Sequence, residues 1–154
     1  MAEYVIALDD PEAPEVRSLL ERHLEFTRLQ SPPEDVHALD IEALKAADLW
    51  FFSLRDEGVV LGVGGLKRLD ADHAELKSIH TAEDARGRGV GRTIVDHLVD
   101  VAVAEGFGRV SLETGTMEGF AASRFLYQSA GFEVCEPFGQ YWVSPHSVCM
   151  TRHL

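Results

Sequence analysis

Three arginines and three glycines interleave in Arg86-Gly87-Arg88-Gly89-Val90-Gly91-Arg92, just ahead of a stretch with helical periodicity. Glycine has no Cβ, so the backbone here can take left-handed dihedrals and come close to a ligand. A helix that follows turns its unpaired N–H groups and the positive end of its dipole back on the loop. Such an end favours phosphate, and the arginines add formal charge. The chemistry this points to is a diphosphate cradle.

Other readings of the same letters are weaker fits. A dinucleotide fingerprint needs G-x-G-x-x-G with an acid about twenty residues on, and a Walker loop needs G-x-x-x-x-G-K-[ST]. Neither is present. A disordered Arg-Gly tail would not run into a helix. A plain glycine turn flanked by solvated arginines stays open on the loop alone.

The chain around the loop is strongly acidic. It has 154 residues with a formal net charge of −12, which argues against nucleic acid or an anionic membrane as partner and makes the arginine cluster a local inversion of field. With 45% apolar and 26% charged residues, the composition is that of one globular domain. No basic-then-apolar leader opens the chain and no run is long enough to span a bilayer, so a cytoplasmic location is expected. Cys135 and Cys149 fit neither a C-x-x-C site nor a disulfide framework.

The elements that would position the loop follow from periodicity. Tyr4 to Leu8 reads as a strand, with Asp9 and Asp10 as caps and Pro11 and Pro14 in a first helical turn. Val16, Leu19, Leu20, His23, Leu24 and Thr27 stripe a helix to about Leu29, with His23 as a packed core residue. Ser31 to Asp35 breaks it, and Asp40 caps a short second helix; this segment, with His37, is either a pocket wall or an ordinary connection. Leu49–Arg55 and Val59–Leu69 form a hairpin around Asp56-Glu57-Gly58, with Gly62, Gly64 and Gly65 marking a bulge or a close backbone approach.

The strand His73 to Thr81 carries a phase slip. Ala74 and Leu76 share one face, but Ile79 falls on the other parity, as a β-bulge would produce. After the glycine loop come a helix ended by Gly106 and Gly108, a strand Arg109 to Thr114, and a helix striped by Phe120, Ala121, Phe125, Leu126, Ser129 and Ala130. Phe132–Phe138 and Ser147–Arg152 read as a final antiparallel pair. The class is α/β, a mixed α+β chain in which strands and helices share one domain.

The strand Ala74–Thr81, the run Arg86-Gly87-Arg88-Gly89-Val90-Gly91, and Leu126-Tyr127-Gln128-Ser129-Ala130-Gly131-Phe132 together resemble the GNAT superfamily of acyl-CoA-dependent N-acetyltransferases. Arg86, Gly89 and Gly91 match its [RQ]-x-x-G-x-[GA] motif, and Leu126, Tyr127, Gly131 and Phe132 its L-Y-x-x-x-G-F signature. The resemblance covers residues 1–154 as a single N-acetyltransferase domain. It implies a twisted, mostly antiparallel mixed sheet of six or seven strands with about four helices, splayed at a bulged central strand. It further implies acetyl-CoA as co-substrate, with no metal, its pantetheine on the backbone of Ile79, His80 and Thr81. The diphosphate would lie on Arg86, Gly87, Arg88, Gly89, Val90, Gly91 and Arg92.

The same resemblance suggests Glu75, eleven residues before Arg86, as general base, because a protonated amine is not nucleophilic. The bland reading of Glu75 is a carboxylate paired with Lys77 or Lys67, and Glu113 is the runner-up base. Tyr127 matches the general acid that serves the departing thiolate; otherwise it is an amphipathic flank residue. Ser31-Pro32-Pro33, His37-Ala38-Leu39, Leu112-Glu113-Thr114-Gly115 and Pro137-Phe138-Gly139-Gln140-Tyr141 resemble a bacterial acetyltransferase subgroup, which suggests Ser31, Glu34, Glu113, Thr114 and Tyr141 near the acceptor.

The expected activity is direct acetyl transfer to a small-molecule primary amine within a ternary complex. A peptide amine, or a non-catalytic acyl-CoA-binding sensor module, stays open. The last strands offer an edge for a homodimer.

Overall fold

The computed structural model describes residues 3–32 and 41–154. Seven strands and four α-helices follow one another as β1 (Tyr4–Leu8), α1 (Pro14–Gln30), α2 (Ile41–Leu44), β2 (Leu49–Asp56), β3 (Val59–Arg68), β4 (His73–Thr81), α3 (Val90–Ala104), β5 (Arg109–Gly115), α4 (Ala121–Ser129), β6 (Glu133–Cys135) and β7 (Ser147–His153). They build one seven-stranded sheet in the order β1-β2-β3-β4-β5-β7-β6. Only β4 and β5 pair in parallel; the other neighbours are antiparallel. This is the mixed, mostly antiparallel architecture expected.

Local chemistry explains most boundaries. Pro14 opens α1, where its missing N–H is no loss. Glu57 and Gly58 both have positive φ, the twist a two-residue hairpin turn needs between β2 and β3. The helix α3 carries Val90, Ile94, Val95, Leu98, Val99 and Ala102 buried along one face. It sits directly on the glycines of β3: a Cβ on Gly64 would lie 2.7 Å from Ile94 Cγ2 and 3.1 Å from Leu98 Cδ1. The close-approach reading therefore holds for Gly62 and Gly64, whereas Gly65, on the other face, makes only ordinary contacts to Leu49, Lys77 and Trp50.

The phase slip in β4 is a bulge. Gly65 faces Lys77 and Val63 faces His80, so two residues of β4, Ser78 and Ile79, oppose Gly64 alone. Ser78 takes φ +53°, a left-handed conformation uncommon for a side-chain-bearing residue. Before the bulge, Glu75 and Lys77 share a face with their β3 partners Lys67 and Gly65; after it, His80 shares that same face with Val63. This is the α1 side, where His80 stacks on His23 at 4.6 Å between ring centroids.

The parallel ladder ends early. His73, Ala74 and Glu75 face Arg109, Val110 and Ser111, and no pairing joins β4 to β5 beyond them. From Leu112 to Gly115, β5 pairs with β7 alone. The two central strands thus part in a V that starts at Glu75.

Three expectations need correction, and three singled-out residues fall outside the described part of the chain. Asp9 and Asp10 do not cap α1 with their side chains: the position belongs to Ala13, and Asp9 instead accepts from Ser53 (2.5 Å) and Arg55 (2.8 Å). The penultimate strand is three residues long, not seven, because Phe138 leaves the sheet edge to pack between His73 and Tyr141. Phe125 is 72% exposed and Tyr127 only 7%, so α4 is rotated to turn Tyr127 inward and the expected stripe is off-centre. Glu34, His37 and Asp40 lie outside the described residues.

Candidate active site

The V holds a cleft that encloses about 130 Å³. That is below the 300–1,000 Å³ of pockets that swallow a drug-sized ligand, and suits the reacting ends of molecules whose bulk lies outside. Of the residues singled out in the sequence, Ser31, Glu75, Ile79, Glu113, Thr114, Tyr127 and Tyr141 all line it. They come from α1's end, β4, β5, α4 and the β6–β7 connection, brought together by the bulge and the early end of the parallel ladder.

Glu75 is the most buried charged group here, 3% exposed. Burial pushes its carboxyl above the usual carboxylate range, opposed by Lys77, by the Tyr141 hydrogen bond and by Lys67. Its Oε2 accepts from the Tyr141 hydroxyl at 2.5 Å and lies 3.5 Å from Lys77 Nζ. The carboxylate is thus paired with Lys77, as one of its two sequence readings expected. Glu113, one pair farther along β5, accepts from Ser147 Oγ at 3.0 Å.

Tyr127 projects from α4 between the arms of the V, edge-on to Phe132 at 6.2 Å. Burial and the charge of Glu113 drive its phenol pKa upward, so it stays protonated. No hydrogen bond among the described residues engages its hydroxyl, so it has a proton to offer.

The loop ahead of α3 has the shape of an anion cradle. Gly87 (φ +77°) and Gly89 (φ +78°) are left-handed, with nothing within 4 Å of where a Cβ would be. Gly89 caps α3 without any side-chain cap bond, and the first turn contains no acidic residue, which leaves its N–H groups outward. A Cβ on Gly91 would meet Leu126 at 3.1 Å. Two of the loop's three arginine side chains are paired with acids: Arg88 turns back to Asp56 (3.3 Å), and Arg92 to Asp96 (3.0 Å). Beyond Glu75, the edge of β4 that faces β5 is unpaired through Ile79, His80 and Thr81.

Two features were not anticipated. Lys77, an expected partner of Glu75, also reaches the Tyr141 hydroxyl (3.4 Å). His23 lines the cleft rather than the core, and its buried Nδ1 has no hydrogen-bond partner. Burial holds His23 down to about 4 and His80 to about 3, so both rings are neutral near pH 7. The thiols are pushed up by burial, Cys149 to about 11, and are poor nucleophiles. Among the described residues, no cluster of three or more His, Cys, Asp or Glu side chains could hold a metal ion, and no helix is long and apolar enough to cross a membrane.

Comparison with known proteins gives the same family. The profile of the Acetyltransferase (GNAT) family matches residues 13–132. The uncharacterized N-acetyltransferase YsnE of Bacillus subtilis (strain 168) is 41% identical over 149 residues, spanning 97% of this chain and 99% of its own. Among solved structures, an acyl-CoA N-acyltransferase from Klebsiella pneumoniae superposes with a TM-score of 0.81 at 22% identity, covering 98% of this chain and 97% of that one. A GNAT family acetyltransferase from Elizabethkingia anophelis with acetyl-CoA bound superposes at 0.72, with 18% identity and 98% coverage of both chains. A splayed mixed sheet, a left-handed glycine loop at a bare helix terminus, and a family match over most of the length converge: the chain belongs to the GNAT acetyltransferase family.

Proposed function

We propose that this chain is an acetyl-CoA-dependent N-acetyltransferase acting on a primary amine of a small molecule by direct attack in a ternary complex. The observation that carries this reading is Glu75, a buried carboxylate at the point where β4 and β5 part, lining the same small cleft as Tyr127. Pantetheine would run along the unpaired edge of Ile79, His80 and Thr81. The diphosphate would rest on the backbone of Arg86 to Arg92, where left-handed glycines and a bare helix end fit an anion.

Chemistry follows from the placement. The acceptor's ammonium loses a proton to Glu75, directly or through water, and Glu75 releases it to solvent. The free amine attacks the thioester carbonyl, and its second proton leaves nitrogen as the adduct collapses, with the departing thiolate as final acceptor. As the carbon–sulfur bond breaks, the Tyr127 hydroxyl hydrogen-bonds the departing sulfur. A thiol near 8.5 is a weaker base than a phenolate, so Tyr127 stabilises the thiolate and need not surrender its proton completely. Holding the two reactants together supplies more of the rate than either group, since effective molarities reach about 10⁵ M against about 10²–10⁴ for one acid or base. Ser31, Glu113 and Thr114 would contact the acceptor.

The cleft admits the reacting amine and leaves the rest of the acceptor outside, so a peptide amine stays the alternative acceptor. Calorimetry with coenzyme A and acetyl-CoA, followed by free-thiol release with an amine panel, tests the reading. Binding plus amine-dependent thiol release is expected. Absence of binding at millimolar coenzyme A would overturn it, and binding without release to any amine would favour a sensor module.

A further inference from the structure

Two groups meet at one oxygen of Glu75 and touch each other. The Tyr141 hydroxyl donates to Oε2 at 2.5 Å, Lys77 Nζ lies 3.5 Å from the same atom, and Lys77 also donates to the Tyr141 oxygen at 3.4 Å. All of these contacts fall on Oε2; none among the described residues engages Oε1. The two partners come from different places. Lys77 stands two residues on along β4, on the same face and just before the bulge. Tyr141 comes from the β6–β7 connection, where its N–H donates to the Phe138 carbonyl (3.1 Å). Phe138 is wedged between the rings of His73 and Tyr141, at 5.5 and 5.1 Å.

We propose that Tyr141 and Lys77 are positioning residues for the proton acceptor of this cleft: they clasp Oε2 of Glu75, keep the buried carboxylate ionised, and leave Oε1 to the acceptor amine. This rests on the reading of Glu75 as the base. It gives Tyr141 a task other than contact with the acceptor, which the sequence suggested for it.

The physical argument is one of compensation. Burial alone disfavours the charged carboxylate, and a base that is already protonated accepts nothing. A hydrogen bond and a nearby cation each favour the charged form. The groups that face Glu75 are few. Lys67 stands opposite on β3, and Ser111 opposite on β5 with its hydroxyl committed to His73 and Thr151. Glu113 and Cys149 follow on β5 and β7, and neutral His23 lines the cleft from α1. Among the described residues, Lys77 is the one cation that touches the carboxylate. The Tyr141 phenol is driven upward by burial and by Glu75 and Glu113, so it is a donor throughout the working range.

The test is a carboxyl-carbon NMR titration of the full chain, with the Glu75 signal assigned by its loss in Glu75→Gln. Tyr141→Phe and Lys77→Met should each raise the Glu75 midpoint, by about one unit for a lost carboxylate hydrogen bond. The acid limb of kcat/KM should move up with it. Lys77→Met keeps the titration decisive if Tyr141→Phe folds poorly. Wild-type midpoints in both variants would overturn the clasp, even if Glu75→Gln is inactive. Conversely, full turnover in Glu75→Gln would remove Glu75 as base and leave the clasp to be judged on the titration alone. A contact role for Tyr141 predicts a different result: a raised acceptor KM with the Glu75 titration unmoved.

Discussion

Glu75 faces Ser111 on the last rung that joins β4 to β5. The Ser111 hydroxyl is the middle of a buried chain: His73 Nε2 lies 2.7 Å from it and Thr151 Oγ1 2.8 Å. Arg109 Nη2 is 3.0 Å from His73 Nδ1, and since a guanidinium only donates, Nδ1 accepts and Nε2–H donates to Ser111. The Thr151 hydroxyl in turn donates a hydrogen bond to the Val110 carbonyl (3.2 Å). The three strands are thus riveted together just where the V begins.

Ser111→Ala should therefore weaken the apex of the V. It leaves His73 Nε2–H and Thr151 without the bond each now makes in a site where Ser111 is fully buried. Loss of a buried partner costs about 1–3 kcal/mol. Urea unfolding should show that loss, and an unchanged midpoint would mean that water replaces the hydroxyl.

At the loop before α3, backbone strain and charge can be separated. Gly89 has φ +78° but open space around its missing Cβ. Gly89→Ala should cost about 1–2 kcal/mol of stability through the left-handed backbone and weaken coenzyme A binding only modestly. Gly89→Glu has the same strain but sets a carboxylate at the helix end, where it competes with phosphate. Calorimetry should find binding abolished in the glutamate variant and retained in the alanine one. Equal affinity in Gly89→Glu and wild type would place the diphosphate elsewhere.

Much of this architecture was legible because it rests on local pattern. The parity break between Leu76 and Ile79 announces the bulge, since side-chain alternation has a period of two and only an inserted residue resets it. The glycines of β3 announce the close approach of α3. What pattern could not reach is long-range. Tyr141 and Glu75 are 66 residues apart, and the connection that carries Tyr141 has no periodicity to orient it. Arg88, in the loop before α3, pairs with Asp56 at the end of β2, a contact that no local pattern announces. Phe125 and Tyr127 show the limit on a nine-residue helix: hydrophobicity favoured burying phenylalanine, while the cleft takes the tyrosine.

Acid should destabilise the fold through the His23–His80 stack. Unfolded, both imidazoles titrate near 6.5. Folded, burial holds them at about 4 and about 3. Between those values the unfolded chain binds protons that the native state refuses, so stability rises with pH and is lost as pH falls below about 6.5. At pH 5 each ring contributes a loss of up to about 2 kcal/mol, less where the open cleft lets water in. Urea unfolding at pH 7.5 and 5.0 should show a smaller pH difference in His23→Gln and His80→Gln than in wild type. Equal differences would mean that both rings are protonated in the folded chain without penalty.

Tyr127→Phe should separate binding from chemistry. The ring is 7% exposed and packs edge-on to Phe132, so phenylalanine keeps the packing and removes only the hydroxyl. Because the phenol pKa is driven upward, the hydroxyl is fully protonated across the working range, and its removal should lower kcat at every pH rather than shift the profile. The expected loss is about 10-fold to 100-fold: one hydrogen bond to developing thiolate charge is worth about 1.5–3 kcal/mol, and each 1.36 kcal/mol is tenfold in rate. Coenzyme A affinity should stay within a factor of about two, as the hydroxyl meets sulfur only when negative charge develops there. Steady-state kinetics and calorimetry on the same preparation check both halves. Undiminished kcat would assign the leaving thiolate to solvent, and Tyr127 would then serve only to wall the cleft.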